Sequence, residues 1–208
     1  MKILSKIIIS SFACLCFILI SIFSQNSVSV KAESKNELTV MTYNIHQGFD
    51  NTGRVDPRKF LIAIQKANPD IIGLQESETN RLITGNYDIT HWLAKKLNMH
   101  YYYGPPTKKL IYGVSILSKY PLKNSKTFYL KSEQDPRVVI ETTIEYKGKE
   151  IKILVTHIGL SLEDRYHQTK WIYDNKIKNC ITPLILMGDF NTYDWEDFTE
   201  VKKPRDLG

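Results

Sequence analysis

Residues 184–191 read LILMGDFN, an apolar run that stops at a glycine and is followed by Asp189 and Asn191. An unbroken apolar run of this length predicts a strand that is buried on both faces. Because Asp189 and Asn191 are two residues apart, their side chains would leave an extended chain on the same side. A carboxylate and an amide at the rim of a buried sheet indicate a polar site. The alternative is an ordinary turn, since Asp and Asn both favour turns.

Three more predicted strands end in a polar residue, namely Asn44, Glu76 and His157. Each of the four polar residues continues a series of alternate residues on one face of its strand. This predicts that the polar side chain lies at the edge of the sheet, on the face that packs in the core. The alternatives are a solvated strand end for Glu76 and a core histidine for His157. Four such ends together predict that the side chains converge on one site. The alternating series are Val40, Thr42 and Asn44; Ile72, Leu74 and Glu76; Ile153, Val155 and His157; and Met187, Asp189 and Asn191.

A strand–helix–strand unit carries the first two of these ends. Residues 38–44 are rich in β-branched and aromatic side chains and predict a strand. Asp56 as N-cap and Pro57 in the first turn predict a helix that ends at Asn68, and residues 71–76 predict a second buried strand. This order predicts that the two strands are parallel neighbours.

The remainder of the chain predicts a second group of strands with helices outside them. The dipeptide Lys147-Gly148 is a hairpin signal between two strands. Two sheets packed face to face accommodate all the elements, so we predict an α/β fold, a four-layer αββα sandwich of two mixed sheets with outer helices. The further predicted elements are helices over 88–97 and 162–178, a strand followed by a loop over 101–106, and strands at 112–117, 138–146, 151–157 and 184–189.

The first 32 residues have the pattern of a secretory signal peptide. Lys2 and Lys6 precede an uncharged run over residues 7–23, and V30-K31-A32 offers small residues for cleavage after Ala32. The run is long for such a signal, so an uncleaved N-terminal membrane anchor is the alternative. We expect a secreted or extracytoplasmic, membrane-tethered protein, with residues 33–37 as a linker and one domain over residues 38–208.

Composition and charge set wide bounds. The 208 residues are 42% hydrophobic and 24% charged, which is typical of one globular domain. The formal charge of +6 falls to +3 without residues 1–32, which fits a phosphate-bearing partner and gives little support to nucleic acid. Cys180 is then the single cysteine, so the domain cannot form an internal disulfide and must be stabilised by a packed core. We expect the domain to be a monomer.

Five motifs in order resemble the endonuclease/exonuclease/phosphatase superfamily, the DNase I-like metal-dependent phosphoesterases. They are LTVMTYNIHQG, PDIIGLQE, GVSILSKYP, ILVTHIG and LILMGDFN, and the resemblance runs from about Leu38 to Asp194. The middle of the chain, ETNRLITGNYDITHWLAKKLNMHYYYGP and YGVSILSKYPLKNSKTFYL, is similar to a narrower group. That group is the phosphoesterase-like domain attached to eukaryotic membrane proteins that remodel the lipid of glycosylphosphatidylinositol anchors.

The resemblance implies a role for each strand end. Glu76 matches the metal-binding glutamate, and Asn44 would orient the metal's ligands or donate to phosphate. Asp189 would align or activate the attacking water, Asn191 would donate to the phosphate, and a protonated His157 could donate to the phosphate or the leaving group. The implied cofactor is Mg²⁺, with Mn²⁺ or Ca²⁺ as alternatives, because phosphoryl transfer needs a cation to offset charge on the oxygens.

Three further residues are candidates for substrate binding. Arg137 heads an alternating strand, where it either reaches a phosphate or remains a surface charge. Arg81 and Asp88 lie in the segment that carries the narrower resemblance.

The resembled family continues beyond its GDFN strand to a Ser-Asp-His signature, whereas the residues that follow Asn191 here contain no histidine. From this difference we expect a C-terminally truncated family domain whose 208-residue chain is weakly active or inactive.

Three functions compete at this point. The first is an exported metal-dependent phosphodiesterase that acts on a phospholipid or glycolipid headgroup. In this reading residues 101–103, with Lys108 and Lys109, form a loop that touches a membrane surface, or else an ordinary strand and turn. The second is a secreted nuclease, and the third is a phosphate-binding domain without catalysis.

Overall fold

A computed structural model of the chain describes residues 37–50, 52–77, 88–105 and 113–192. The chain divides into two compact units, residues 1–37 and residues 38–208, and all described helices and strands belong to the second. The predicted signal peptide over residues 1–32, the candidate Arg81 and the segment after residue 192 lie outside the described residues.

The described part of the chain contains eight strands and three α-helices, in an order that alternates at both ends and is strand-rich in the middle. In chain order they are β1 (Val40–Asn44), α1 (Pro57–Ala67), β2 (Ile71–Ser77), α2 (Ile89–Leu97), β3 (His100–Gly104), β4 (Gly113–Ser118), β5 (Lys123–Leu130), β6 (Arg137–Tyr146), β7 (Lys149–His157), α3 (Leu162–Ile172) and β8 (Leu184–Asp189).

The strands form two mixed sheets. The first has the order β1-β2-β4-β3 and the second the order β5-β6-β7-β8. The pairs β1–β2 and β7–β8 are parallel and the others antiparallel, so each sheet has one parallel pair at one edge. The predicted parallel pairing of the first two strands is confirmed. Parallel pairing also brings the carboxyl ends of β7 and β8 together, with His157 opposite Asp189.

Three hydrophobic clusters separate four layers. Phe60 and Ile64 of α1 and Leu93 of α2 pack on Ile72 and Leu74 on the outer face of the first sheet. The second cluster fills the space between the sheets and the third lies between the second sheet and α3. The predicted αββα sandwich is therefore confirmed. The inter-sheet cluster includes Ile71, Val114, Ile116, Ile140, Ile153, Val155 and Met187, and the third includes Leu130, Val139, Leu154, Ile158 and Ile172.

Side-chain caps define the two helices over the first sheet. Asp56 accepts the N–H of Arg58 and Pro57 occupies the first turn of α1, as the sequence predicts. Asn68 ends α1 and Asn98 ends α2, both in the left-handed conformation that releases the chain from a helix.

Several features differ from the sequence-based expectation. Strand β5 was not predicted, because its polar residues hide the alternation on which such predictions rest. The helix predicted over 162–178 is α-helical only to Ile172 and continues as a π-helical turn, Tyr173–Ile177. The expectation that β8 is buried on both faces is wrong for the described residues, because β8 is the edge of its sheet and only Met187 is fully buried.

Residues 101–103 form part of β3 and not a loop, so the strand alternative is confirmed for them. Tyr102 packs in the inter-sheet cluster and bonds the Thr127 hydroxyl at 3.1 Å. Tyr101 points to the other side, where its hydroxyl lies 3.1 Å from Nδ1 of His91. Lys108 and Lys109, the rest of the predicted membrane-contacting loop, lie outside the described residues.

Among the helices that the structure describes, none combines the length and the apolar character that crossing a membrane requires.

Gly188 lets β8 approach β7 closely, and we expect Gly188→Ala to destabilise the domain. A Cβ at this position would overlap the Thr156 carbonyl oxygen, which is backbone and cannot turn away. The expected loss in the free energy of unfolding is about 1–3 kcal/mol, as for other overpacked sites. Urea unfolding of the full chain measures it. Gly73→Ala is the matched control, since the nearest atom to its Cβ would be the flexible Met187 sulfur at 2.6 Å. A smaller loss for Gly188→Ala than for Gly73→Ala would contradict this account.

Candidate active site

The side-chain amide of Asn44 joins the two sheets. Its Nδ2 donates to Oε1 of Glu76 at 3.1 Å and to Oδ2 of Asp189 at 2.9 Å. Its Oδ1 accepts the backbone N–H of His46 at 2.9 Å, which fixes the amide with its N–H bonds toward the carboxylates. Asn44 and Glu76 belong to the first sheet and Asp189 to the second, so the amide closes the gap between them. The structure thus brings these three predicted residues together.

Glu76 reaches the site through a β-bulge. Ile72 and Leu74 face α1 and α2, whereas Gly73 faces Met187 in the second sheet. Regular alternation would therefore direct Glu76 away from the other sheet, and the expectation that one parity unites the four strand ends is wrong for β2. The pairing with β4 shifts between Gln75 and Ser77, and Glu76 between them has a φ of 50°. A bulge of this kind re-aims a side chain, here toward Asn44.

Matching turns follow the carboxyl ends of β1 and β8. Asn44 Oδ1 accepts the N–H of His46, and Asp189 Oδ1 accepts the N–H of Asn191 at 2.9 Å. His46 and Asn191 have φ values of 46° and 49°, in the left-handed region. Each is an Asx-turn, in which a side-chain oxygen bonds the backbone two residues later. The turn alternative considered for residues 189–191 is therefore correct as local structure, and it is also what orients the Asp189 carboxylate.

Asn191 has a structural partner within the site. Its Nδ2 donates to the carbonyl of Ile158 at 2.8 Å, and the Ile158 N–H donates to the Asp189 carbonyl at 3.0 Å. These bonds attach the chain after His157 to the end of β8. An amide carries two N–H bonds, so the second one of Asn191 is the group that could donate to a phosphate oxygen.

The pKa values of His157 and Asp189 are both lowered, which favours a neutral imidazole and an ionised carboxylate. Burial, and next the charge of Arg137, lower the pKa of His157, so the neutral imidazole is favoured at pH 7. Burial raises the pKa of Asp189, but the Asn44 and Asn191 hydrogen bonds and the charges of His157 and Arg137 outweigh it, and the pKa lies below its ordinary value. His157 Nε2 lies 3.8 Å from Asp189 Oδ2. The lowered pKa favours a neutral ring with one N–H in the free site, and donation by a protonated His157 stays a prediction.

Arg137 is a buried cation at the edge of the site. Its side chain is 6% exposed, and its guanidinium lies 3.9 Å from Asp135. Among the described residues its Nε has no hydrogen-bond partner. Its charge lowers the pKa of both His157 and Asp189, so the guanidinium acts on both. The surface-charge alternative for Arg137 is wrong. A buried guanidinium with an unpaired N–H is suited to an anion that enters from solvent.

Asp88, a predicted substrate-binding candidate, is the N-cap of α2, and its contact with a substrate stays a prediction. Its Oδ1 accepts the N–H of His91 at 2.8 Å and caps α2, and this bond accounts for its position. Arg81 is outside the described residues. The sequence did not reveal the backbone N–H of His46 or the amide of Gln47, whose Nε2 lies 3.5 Å from Glu76 Oε2. Asn44 two residues before His46 is the pattern of an Asx-turn, and this pattern could have predicted the role of the His46 N–H.

The residues present fit a hard divalent cation. Glu76 and Asp189 place two carboxylates on one amide, and no group of three or more Asp, Glu, His or Cys side chains forms a metal cluster within the described residues. One carboxylate supplemented by water is the ligand set that Mg²⁺ accepts. Glu76 is the better ligand of the two predicted, because the Asn44 carbonyl oxygen already bonds His46. A cleft of ≈ 370 Å³ opens beside the carboxylates, lined by Thr42, Asn44, Gln75, Gly188, Asp189, Phe190, Asn191 and Thr192.

Residues 35–200 match a family described as the PGAP2IP C-terminal nuclease-like domain. The chain is also 32% identical over 154 residues to protein cwh43 of Schizosaccharomyces pombe. That match covers 72% of this chain but only 16% of the relative, so the chain spans less than a fifth of the length of the relative that it matches.

Solved structures share the fold. An endonuclease/exonuclease/phosphatase from Beutenbergia cavernae is 22% identical with a TM-score of 0.62, covering 75% of this chain and 48% of its own. A mannosyl-6-phosphatase from Bacteroides thetaiotaomicron is 18% identical with a TM-score of 0.62, covering 79% and 70%. D. rerio TDP2 in complex with a single-strand DNA product is 16% identical with a TM-score of 0.63, covering 81% and 66%.

The lowered pKa of His157 predicts how stability depends on pH. The unfolded chain takes up a proton at this residue near pH ~6.5, while the folded chain resists it. His157 therefore makes the free energy of unfolding fall as pH drops below about 6.5 toward the folded pKa. Urea unfolding at pH 7.5 and 5.5 measures this, and the advantage of wild type over His157→Asn should shrink at the lower pH. His167→Asn, on an exposed part of α3, is the control. An equal difference between wild type and His157→Asn at both pH values would refute the prediction.

Proposed function

We propose a metal-dependent phosphoesterase activity for this chain, which belongs to the endonuclease/exonuclease/phosphatase superfamily as a nuclease-like domain of the kind found at the C-terminus of PGAP2IP. The observation that carries the proposal is the joining of Glu76 and Asp189 by one amide, with the buried Arg137 acting on the same site. A carboxylate for a divalent cation, a second carboxylate for the attacking water and a buried guanidinium for the phosphate are groups that phosphate-ester hydrolysis can use.

In this proposal the chain's own residues prepare the reacting groups. Asp189 is ionised at neutral pH and accepts the proton of a water whose oxygen bonds to phosphorus while the ester oxygen leaves with the electron pair of the broken P–O bond. Arg137 and the second N–H of Asn191 orient the phosphate, and the neutral His157 donates one N–H. Glu76, oriented by Asn44, would hold a divalent cation, which when bound offsets charge on the phosphate oxygens.

We further propose that the substrate is a phospholipid or glycolipid headgroup and that the protein is exported, secreted or tethered to a membrane. Support comes from the similarity of the middle of the chain to domains of lipid-remodelling membrane proteins, and from the signal-like residues 1–32. The low net charge does not favour nucleic acid, although one structural neighbour is a complex with a DNA product.

Removing the Glu76 carboxylate should abolish cation binding. In the wild-type chain Mg²⁺ should raise the thermal unfolding midpoint, because a ligand at 100 times its Kd stabilises the folded state by about 2.7 kcal/mol. Glu76→Gln should lose this shift and any chelator-sensitive turnover. The control is Glu145→Gln, an exposed acid paired with Lys123 on β5. An undiminished Mg²⁺ shift in Glu76→Gln would contradict the assignment, and it can be read even if turnover is weak.

Substrate class is tested by comparing phosphatidylinositol, sphingomyelin and plasmid DNA, each with Mg²⁺ and with excess chelator. We expect hydrolysis of a lipid that the chelator abolishes, and a loss of about 10²–10⁴-fold when Asp189 is changed to Asn, since that removes the proton acceptor. Nicking of DNA without lipid turnover would support the nuclease alternative. Binding of phosphate ester without turnover would support a non-catalytic binding domain and would overturn the proposed activity.

A further inference from the structure

The helix that covers the second sheet buries two polar side chains. Asp164 and Gln168 of α3 are only 4% and 1% exposed. They are one turn apart, so both face the same side of the helix. Buried polar groups need hydrogen-bond partners, and the partners here come from two loops beside the candidate active site.

The first loop is the one that leaves His157. Gln168 Oε1 accepts the N–H of Gly159 at 2.8 Å. A Cβ on Gly159 would lie 2.6 Å from the Cβ of Asp164, so glycine is what allows the loop to approach the helix. Ile158, which lies between His157 and Gly159 in the chain, donates its N–H to Asp189 and accepts from the Asn191 amide. The helix therefore holds the loop on one side and the catalytic strand end holds it on the other.

The second loop connects β5 to β6 and leads to Arg137, the first residue of β6. Gln168 Nε2 donates to the carbonyl of Lys131 at 2.9 Å. Asp164 accepts from the Ser132 hydroxyl at 2.9 Å and from the N–H of Glu133 at 3.2 Å. Asp164 is the third residue of α3, where the helix dipole favours a negative charge. Residues 131–133 are thus attached to the same helical turn that holds the His157 loop.

We propose that Gln168 and Asp164 are positioning residues that fix Arg137 relative to His157. The Oε1 and Nε2 atoms of the same Gln168 amide bond the two loops, so this one side chain sets the distance between Gly159 and Lys131. Neither residue needs to touch the substrate. The inference rests on the proposed function, because it assigns the two residues a part in that same reaction.

A pair of substitutions separates the two loops. Gln168→Met removes both hydrogen bonds with little change in volume, whereas Gln168→Glu keeps the acceptor for Gly159 and loses the donor to Lys131. We expect Gln168→Met to lower kcat by about 10- to 100-fold, the effect of a small misplacement of catalytic groups, with KM changed by less than about 3-fold. His167→Gln, on the neighbouring exposed position, should leave both constants unchanged. All assays are run well below the unfolding temperature of each variant.

A double-mutant cycle distinguishes positioning from simple destabilisation. If Gln168 acts through Arg137, Gln168→Met should cost little further rate in an Arg137→Ala background, whereas independent effects would multiply. A full additional loss in that background would overturn the proposal.

A second readout does not depend on turnover. In ¹H–¹⁵N spectra, Gln168→Met should shift the signals of the Arg137 Nε–H and the His157 ring, and His167→Gln should not. If these signals stay in place in Gln168→Met, the positioning role is wrong even if the protein is a phosphoesterase. If they move but no substrate is hydrolysed, the positioning role stands and the proposed activity fails.

Discussion

The hydrogen bonds of the Asn44 amide are the interaction on which the candidate site depends, because they join the first sheet to the second at the two carboxylates. Two carboxylates that approach one another repel, and each would be costly to hold near the other without a donor between them. Asn44 supplies two N–H bonds, one for Glu76 and one for Asp189. Its orientation depends on the backbone of His46. The short turn after β1 is therefore as much a part of the site as the side chains themselves.

Backbone conformations that most residues avoid are concentrated at this site. His46, Gln47, Glu76 and Asn191 all have positive φ values between 46° and 56°. The other non-glycine examples in the described chain are at helix ends, a bulge and the Lys147 hairpin turn, where such values are expected. Positive φ at Glu76 belongs to the β-bulge of β2, and strain of this kind persists where surrounding structure requires it. Here the requirement is the delivery of polar groups to one point between the sheets.

The sequence predicted most of the sandwich because its determinants are local. Caps, apolar runs and the hairpin signal lie within a few residues of the elements that they define, as at Asp56 and Lys147. The same reasoning brought Glu76 to the site but grouped it with Ile72 and Leu74, which face the helices instead, because a β-bulge changes alternation without any marker in composition. It also missed Gln168, since a buried glutamine on a polar helix is recognisable only when the loops that it bonds are known. Long-range hydrogen bonds are what periodicity cannot predict.

Charge balance explains why one site can contain both a neutral histidine and an ionised aspartate. Burial is the largest cause that lowers the pKa of His157, and the charge of Arg137 adds to it. Burial raises the pKa of Asp189, but hydrogen bonds from Asn44 and Asn191 outweigh it, and the charge of Arg137 lowers this pKa further. The Arg137 Nε finds no partner in the part of the chain that the structure describes, so an anion that bonds it would satisfy a group that is otherwise costly to bury. The same anion would partly cancel the positive field at His157 and raise the pKa of the imidazole. In the proposed reaction, binding of a phosphate ester at Arg137 would therefore raise the proton affinity of His157, and the two loops that α3 holds together carry these two residues.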